Sequence, residues 1–200
     1  EGNKEDIVGI GLCTIRYCRA YLKADGTLAQ PALSWMDIRV AHPYEHTNPD
    51  VKYIVASSGY ITHRLTGEKK DTVANYEGVW PIDVDNWGWS EDPAAYEATG
   101  MPREMLFDLV MPGDILGYVT KEAAEATGFP QGLPVVATSN DKAVEGLGTG
   151  CMGDTTACIS LGTYTAAMME GKENLKDTKC VWPKFSCVPN KYLYDSNGIR

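Results

Sequence analysis

Long apolar runs are missing from this chain. No stretch reaches the roughly 18 consecutive apolar residues that a membrane-spanning helix needs, and no basic n-region followed by an apolar h-region opens it. Nothing therefore argues for a spanning segment or for secretion. Basic residues are scarce: 18 Lys and Arg stand against 27 Asp and Glu, a formal net charge of −9. That balance disfavours a nucleic-acid groove, which needs clustered cations, and suits a cytoplasmic protein. Any phosphate must then be held by local features rather than by the overall field. Histidine is limited to His42, His46 and His63. The first two could share a helix face, yet no third ligand lies nearby, so a metal site is not expected. The six cysteines form no CxxC pair, and so long a chain does not need disulfides to fold. Reduced, mostly buried thiols are expected.

What is present is enough for a core: 44% of the 200 residues are hydrophobic. That length corresponds to one domain, or to one domain and part of another. The stretch that organises it is LPVVATSNDKAVEGLGTGCMGDTTACISLGTYTA, residues 133–166. Val135-Val136-Ala137 reads as a buried strand. It ends in Thr138, Ser139 and Asn140, and Asp141 follows at the N-cap of a helical KAVEGLG segment. A carboxylate at the C-terminal end of a buried strand is where open α/β sheets place their ligands. A second strand, 156–161, runs into Gly162-Thr163, a turn whose N–H groups and hydroxyl suit a phosphate. The residues alone leave open that Asp141 only caps a helix and that Gly162 only makes a turn.

The order of apolar strand, small residues, Asp, Ala- and Gly-containing helix, Gly-Asp, strand and Ser-x-Gly-Thr resembles the FGGY carbohydrate kinases. The resemblance implies that Asp141 accepts the proton of an attacking sugar hydroxyl. It implies that Gly162 and Thr163 touch the phosphates of ATP, with Mg²⁺ bridging those phosphates and coordinated mainly by water and phosphate oxygens. A second stretch is similar to the same family: IVGIGL at 7–12, Ala24-Asp25-Gly26, then PALSWMDIR at 31–39, against a pattern G-I-G … D-x-x-G … P-x-x-W-x-D-x-R. There Trp35, Asp37 and Arg39 are implied to line the sugar pocket. Trp offers a face for C–H groups and Asp accepts from hydroxyls. A surface Asp37–Arg39 pair beside a core Trp is the alternative.

Arg16, in Thr14-Ile15-Arg16-Tyr17, stands where glycerol kinases of the family carry an Arg. Neither the xylulokinase His nor the glycerol-kinase Glu is matched there, so the sugar stays open. Residues 52–65 read as a one-faced helix closed by Gly67 at C′, with His63 and Arg64 in its last turn. The following Asp71-Thr72-Val73-Ala74 is similar to the family's D-x-x-A segment, which implies a place for Asp71 in the floor of the sugar site. A solvated turn carboxylate is the other reading. Trp80, Trp87 and Trp89 read as a loop folded back into a satellite core. Helices are expected over 91–100, 101–109 and 121–128, and a strand over 114–119.

The expected fold is α/β, of the ribonuclease H-like type shared by actin and sugar kinases, a mixed sheet flanked by helices. Residues 1–152 would be most of a sugar-binding domain and 153–200 the start of a nucleotide-binding domain. The family's D-x-G-T/S strand and K-x-x-W helix have no counterpart here, so the chain reads as a fragment. The implied function is ATP-dependent phosphorylation of a sugar or polyol, first of all a pentulose. The implied partners are that small molecule and ATP, without nucleic acid or membrane, and a homodimer is compatible. Two rivals stand beside it: a non-catalytic sugar-binding protein on a degenerate kinase fold, and a nucleotide hydrolase of the actin superfamily.

Overall fold

The computed structural model describes residues 3–161, 165–176 and 178–196. Along the chain run β1 (Ile10–Thr14), β2 (Arg19–Leu22), a 3₁₀ turn at Ile38–Ala41, β3 (Tyr53–Ala56), α1 (Ser57–Thr66) and β4 (Lys70–Thr72). A 3₁₀ turn at Val73–Asn75 leads to the short strands β5 (Ile82–Asp83) and β6 (Gly88–Trp89). Then come α2 (Pro93–Thr99), β7 (Asp108–Val110), β8 (Ile115–Tyr118) and α3 (Lys121–Thr127). β9 (Pro134–Asn140) feeds α4 (Asp141–Gly148), and β10 (Cys158–Ser160), β11 (Ala166–Gly171), β12 (Val181–Phe185) and β13 (Tyr192–Ser196) close the chain.

β9 is the central strand of a three-stranded mixed sheet, parallel to β1 and antiparallel to β8. Val135, Ala137 and Ser139 alternate into the interior, as a pleated strand requires. Val135 and Ala137 pack there with Leu116, Val119, Ala123 and Leu133. The parallel register pairs Thr14 with Asn140, so the C-terminal ends of β1 and β9 lie side by side. β4 and β7 form a second parallel pair, and β10-β11-β13-β12 a separate antiparallel sheet. That sheet is joined to the first part by shared cores. Val73, Ala74 and Trp87 pack with Phe185 and Tyr192, and Ala143 of α4 packs with Cys158, Met168 and Leu193.

Several sequence expectations are corrected here. The helix read over 52–65 is a strand followed by a helix. Tyr53–Ala56 pairs antiparallel with β2, buries Ile54, Val55 and Ala56, and hands over to α1 at Ser57. Ile-Val is β-branched and fits a pleat better than a helix turn. The helix expected over 101–109 is one 3₁₀ turn and then β7. Asn140, not Asp141, is the N-cap of α4: its Oδ1 accepts from the Ala143 amide at 3.1 Å. The thiols are free, but only Cys151 and Cys158 are buried. His42 is extended rather than helical, and His46 Nδ1 bonds the Tyr44 hydroxyl at 2.9 Å. Gly67 does close α1, in the left-handed region at φ 75°. Trp80 and Trp89 pack edge-on against Tyr76, and Trp87 packs against Phe185 with the rings tilted by 57°. These tryptophans are core residues.

Candidate active site

The ends of β1 and β9 build a polar corner. Asn140 is fully buried; besides capping α4, its Nδ2 donates to the Ala74 carbonyl at 3.1 Å. Ser139 Oγ donates to the same carbonyl at 3.3 Å, and Thr72 Oγ1 to the Thr138 carbonyl at 2.6 Å. These bonds fix the Val73–Asn75 turn against the end of β9. Asp141 is then the first residue of α4, half-buried, with its carboxylate at the helix N-terminus where the backbone dipole favours negative charge.

Arg16 lies just past β1. Its Nη1 donates to Glu77 Oε2 at 3.2 Å, and its Nη2 stands 3.8 Å from Asp195 Oδ2. Asp195, on β13, accepts from Lys184 Nζ of β12 at 2.9 Å. Burial opposes the Arg16 charge, but Glu77, Tyr17, Asp141 and Asp195 outweigh it and hold the guanidinium above its usual range. Tyr17, at φ 64°, has its phenol pushed up to about 12 by burial and then by Glu77. Burial also raises Glu77, against the pull of Arg16 and Lys184. Arg16, Tyr17, Glu77, Asp141 and Asp195 therefore share one electrostatic environment between the two sheets.

Lys142 is turned away from Asp141. Its Nζ bonds Glu145 Oε2 and Ser160 Oγ, both at 2.8 Å, and Ser160 Oγ donates to Glu145 Oε1 at 2.8 Å. This triangle ties α4 to β10, the strand that leads toward Gly162 and Thr163. Those two residues, expected to meet phosphates, lie outside the described residues.

Asp71 is wholly buried rather than solvated. Its Oδ2 accepts from Ser58 Oγ at 2.8 Å and from the Tyr76 hydroxyl at 2.7 Å, and its Oδ1 accepts from the Thr72 amide at 2.7 Å. Burial pushes its carboxyl up to about 7 despite those bonds. It communicates with the corner through Ser58, whose Oγ accepts from Asn75 Nδ2 at 2.8 Å; the same Nδ2 donates to Thr14 Oγ1 at 2.9 Å. Trp35 and Arg39 are exposed. Asp37 caps the Ile38–Ala41 turn and accepts from Arg39 Nε at 2.9 Å, and this bond and the Arg39 amide hold its carboxyl down at about 2. Arg39 also lines a cavity of about 230 Å³ with Arg19, Tyr21 and Tyr44. The structure thus gathers Arg16 and Asp141 into one corner, connects Asp71 to it indirectly, and leaves Asp37 and Arg39 paired with each other. Glu77, Asn75 and Asp195 are the additions that sequence reasoning missed. Asp195 belongs to a strand remote in sequence, and Glu77 has no local pattern around it.

Among the described residues, no group of three or more His, Cys, Asp or Glu side chains could hold a metal ion. No helix among them is long and apolar enough to cross a membrane.

Superposition on solved structures gives the class of this mixed α/β sheet with its neighbouring antiparallel sheet: the actin and sugar-kinase ATPase fold. The gluconate kinase of Lactobacillus acidophilus superposes with a TM-score of 0.81 at 13% identity, over 98% of this chain and 46% of that one. The chain belongs to the FGGY family of carbohydrate kinases, whose N-terminal domain pattern matches residues 40–148. It is 60% identical over 199 residues to the uncharacterized sugar kinase YgcE of Escherichia coli K12, a match covering 100% of this chain and 40% of that protein. It is 29% identical over 116 residues to the L-fuculokinase of the same strain, covering 58% of this chain and 24% of the relative. The chain thus spans less than half the length of either of these two relatives.

Proposed function

We propose that the protein transfers the γ-phosphoryl group of ATP to a hydroxyl of a sugar or polyol, a pentulose first among the candidates. The observation that carries this reading is the placement of Asp141. It follows the last residue of β9, opens α4, and shares its corner with Arg16, in a chain of the FGGY family. On this reading Asp141 accepts the proton of the attacking hydroxyl, a role that contributes about 10²–10⁴-fold. Most of the remaining rate comes from positioning and charge stabilisation, as the loose transition state of phosphoryl transfer demands. Arg16 and Asn75 hold the end of β1 beside that carboxylate, and Asn140 fixes the helix that carries it.

ATP is the co-substrate, and Gly162 and Thr163 are the residues assigned to its phosphates. Mg²⁺ would neutralise phosphate charge, held mainly by phosphate oxygens and water. The same reading divides the chain near residue 152 into a sugar-binding part and the opening of a nucleotide-binding part, and it places the enzyme in the cytoplasm. ADP release by the intact protein against D-xylulose, L-fuculose and glycerol tests the proposal. Turnover on one of them is expected, and ADP release that no sugar stimulates would overturn it.

A further inference from the structure

Two arginines close in sequence are largely withdrawn from solvent, with opposite surroundings. Arg16 is paired with Glu77 and stands beside Asp195. Arg19, on β2, is only 2% exposed, yet none of the ion pairs among the described residues includes it. Its Nη1 donates to the His42 carbonyl at 3.4 Å and its Nη2 to the Val40 carbonyl at 3.0 Å. The guanidinium lies over the Trp80 ring, 5.6 Å from the centroid, and Nε has no hydrogen-bond partner. A guanidinium carries five N–H donors, and only two of these are met among the described residues. Carbonyls and a ring face orient the charge without neutralising it, whereas buried charges are normally paired.

Arg19 is also the buried side of the cavity of about 230 Å³. Arg39 and His42 stand on its exposed side, and Tyr21 and Tyr44, stacked with ring centroids 5.6 Å apart, form part of its wall. Arg39 gives Nε and Nη2 to Asp37, while its Nη1 makes no hydrogen bond among the described residues. Glu45 is the acid that lines the cavity, but it is exposed and makes no ion pair with either arginine. Water and salt screen a surface charge far more than a buried one. The Arg19 charge therefore dominates the field inside. An anion entering there meets a positive potential and unmet N–H donors, and an uncharged molecule leaves that charge unanswered.

We propose that this cavity binds a small oxyanion, a carboxylate or a phosphate monoester, with its oxygens toward Arg19 and Arg39 and its body against Tyr21 and Tyr44. The planar fork of a guanidinium matches both groups. None of the residues that line the cavity belongs to the group around Asp141. The site is therefore distinct from the one assigned to phosphoryl transfer, and it stands without the kinase reading.

The test is calorimetry on the intact protein with sodium phosphate and sodium malonate, at an ionic strength held constant with chloride and with saturating ADP to fill any nucleotide site. Arg19→Met is expected to weaken binding by at least about tenfold, the loss of one hydrogen bond to a charged group. Glu45→Gln should strengthen binding by about two- to fivefold, and His42→Asp should weaken it by a similar factor, as exposed charges do. Glu45 and His42 are both exposed, so these two variants keep the fold, and a gain in affinity cannot come from unfolding. Tighter binding of phosphate assigns the site to a phosphate monoester and tighter binding of malonate to a carboxylate; either upholds it. Binding of neither anion overturns the proposal. So does an affinity that a folded Arg19→Met leaves unchanged. If Arg19→Met does not fold, the other two variants decide: unchanged affinity in both places the anions elsewhere and overturns the site.

Discussion

Arg16 Nη1 donates to Glu77 Oε2 at 3.2 Å, and the two side chains are only 12% and 8% exposed. The pair joins the end of β1 to the segment after the Val73–Asn75 turn, so it braces the corner that holds Asp141. Removing one partner strands a buried charge, which costs far more than the pair itself contributes. Glu77→Ala is expected to lower stability by about 3–5 kcal/mol in urea denaturation, and Glu77→Gln by clearly less because it still accepts from Arg16. Equal losses in the two variants would show that the Arg16 contact does not set the cost.

Asp71 gives a pH signature. Its carboxyl is raised from 3.8 to about 7, with burial the main cause. Between those values the folded chain holds a proton that the unfolded chain has released. This residue's contribution to stability is therefore fully present below about pH 4, falls as pH rises toward 7, and is constant above that. At about 1.4 kcal/mol per pKa unit, the change is a few kcal/mol. Asp71→Asn cannot titrate, so its stability relative to the parent should improve steadily from pH 4 to pH 7. Parallel stability curves across that window would contradict the burial argument.

Gly59 lies within α1, where alanine would ordinarily gain about 1 kcal/mol. Here a Cβ would fall 2.8 Å from Asp71 Oδ2 and 3.2 Å from Val55 Cβ. Neither neighbour can retreat, since Asp71 is held by several hydrogen bonds and Val55 is in the sheet. Gly59→Ala is expected to destabilise by about 1–3 kcal/mol. A rise in thermal midpoint would mean that the interior around Asp71 is looser than drawn.

The parts that were legible in the sequence are those set locally. The apolar run at 135–137, the small residues after it and the helix beginning at Asp141 all reflect near-neighbour preferences, and β9 and α4 follow them. Gly67 at the end of α1 was readable for the same reason. Tyr53–Ala56 was misread because its partner, β2, lies beyond the Asp25–Gly26 turn and the long connection after it. Strand pairing at that distance overrides the helical spacing. For Asp71 the sequence leaves a place in the sugar-site floor and a solvated turn side by side, because its burial depends on Ser58, Tyr76 and α1 closing over it. Asp195 could not be linked to Arg16 from sequence at all, since that contact exists only after the second sheet docks.

Lys142 bridges α4 to β10 through Glu145 and Ser160. Glu145 is partly exposed, so the pair itself contributes little, on the order of 1 kcal/mol or less. Its larger effect should be on how α4, which carries Asp141, sits against β10. Lys142→Met is expected to raise the KM for ATP several-fold with little change in the sugar KM. Steady-state kinetics with each substrate varied in turn checks this, and a change confined to the sugar would place the Lys142 side chain elsewhere during catalysis.

On the proposed reading Asp141 is the base. The most direct measurement is single-turnover phosphoryl transfer by Asp141→Asn in the intact protein, with sugar affinity measured in parallel. A positioned base supplies about 10²–10⁴-fold, so the rate should fall by that amount while sugar binding stays within a few-fold of the parent. A variant that transfers phosphate at a rate within about twofold of the parent would remove Asp141 from the chemistry and leave it as a first-turn helix residue.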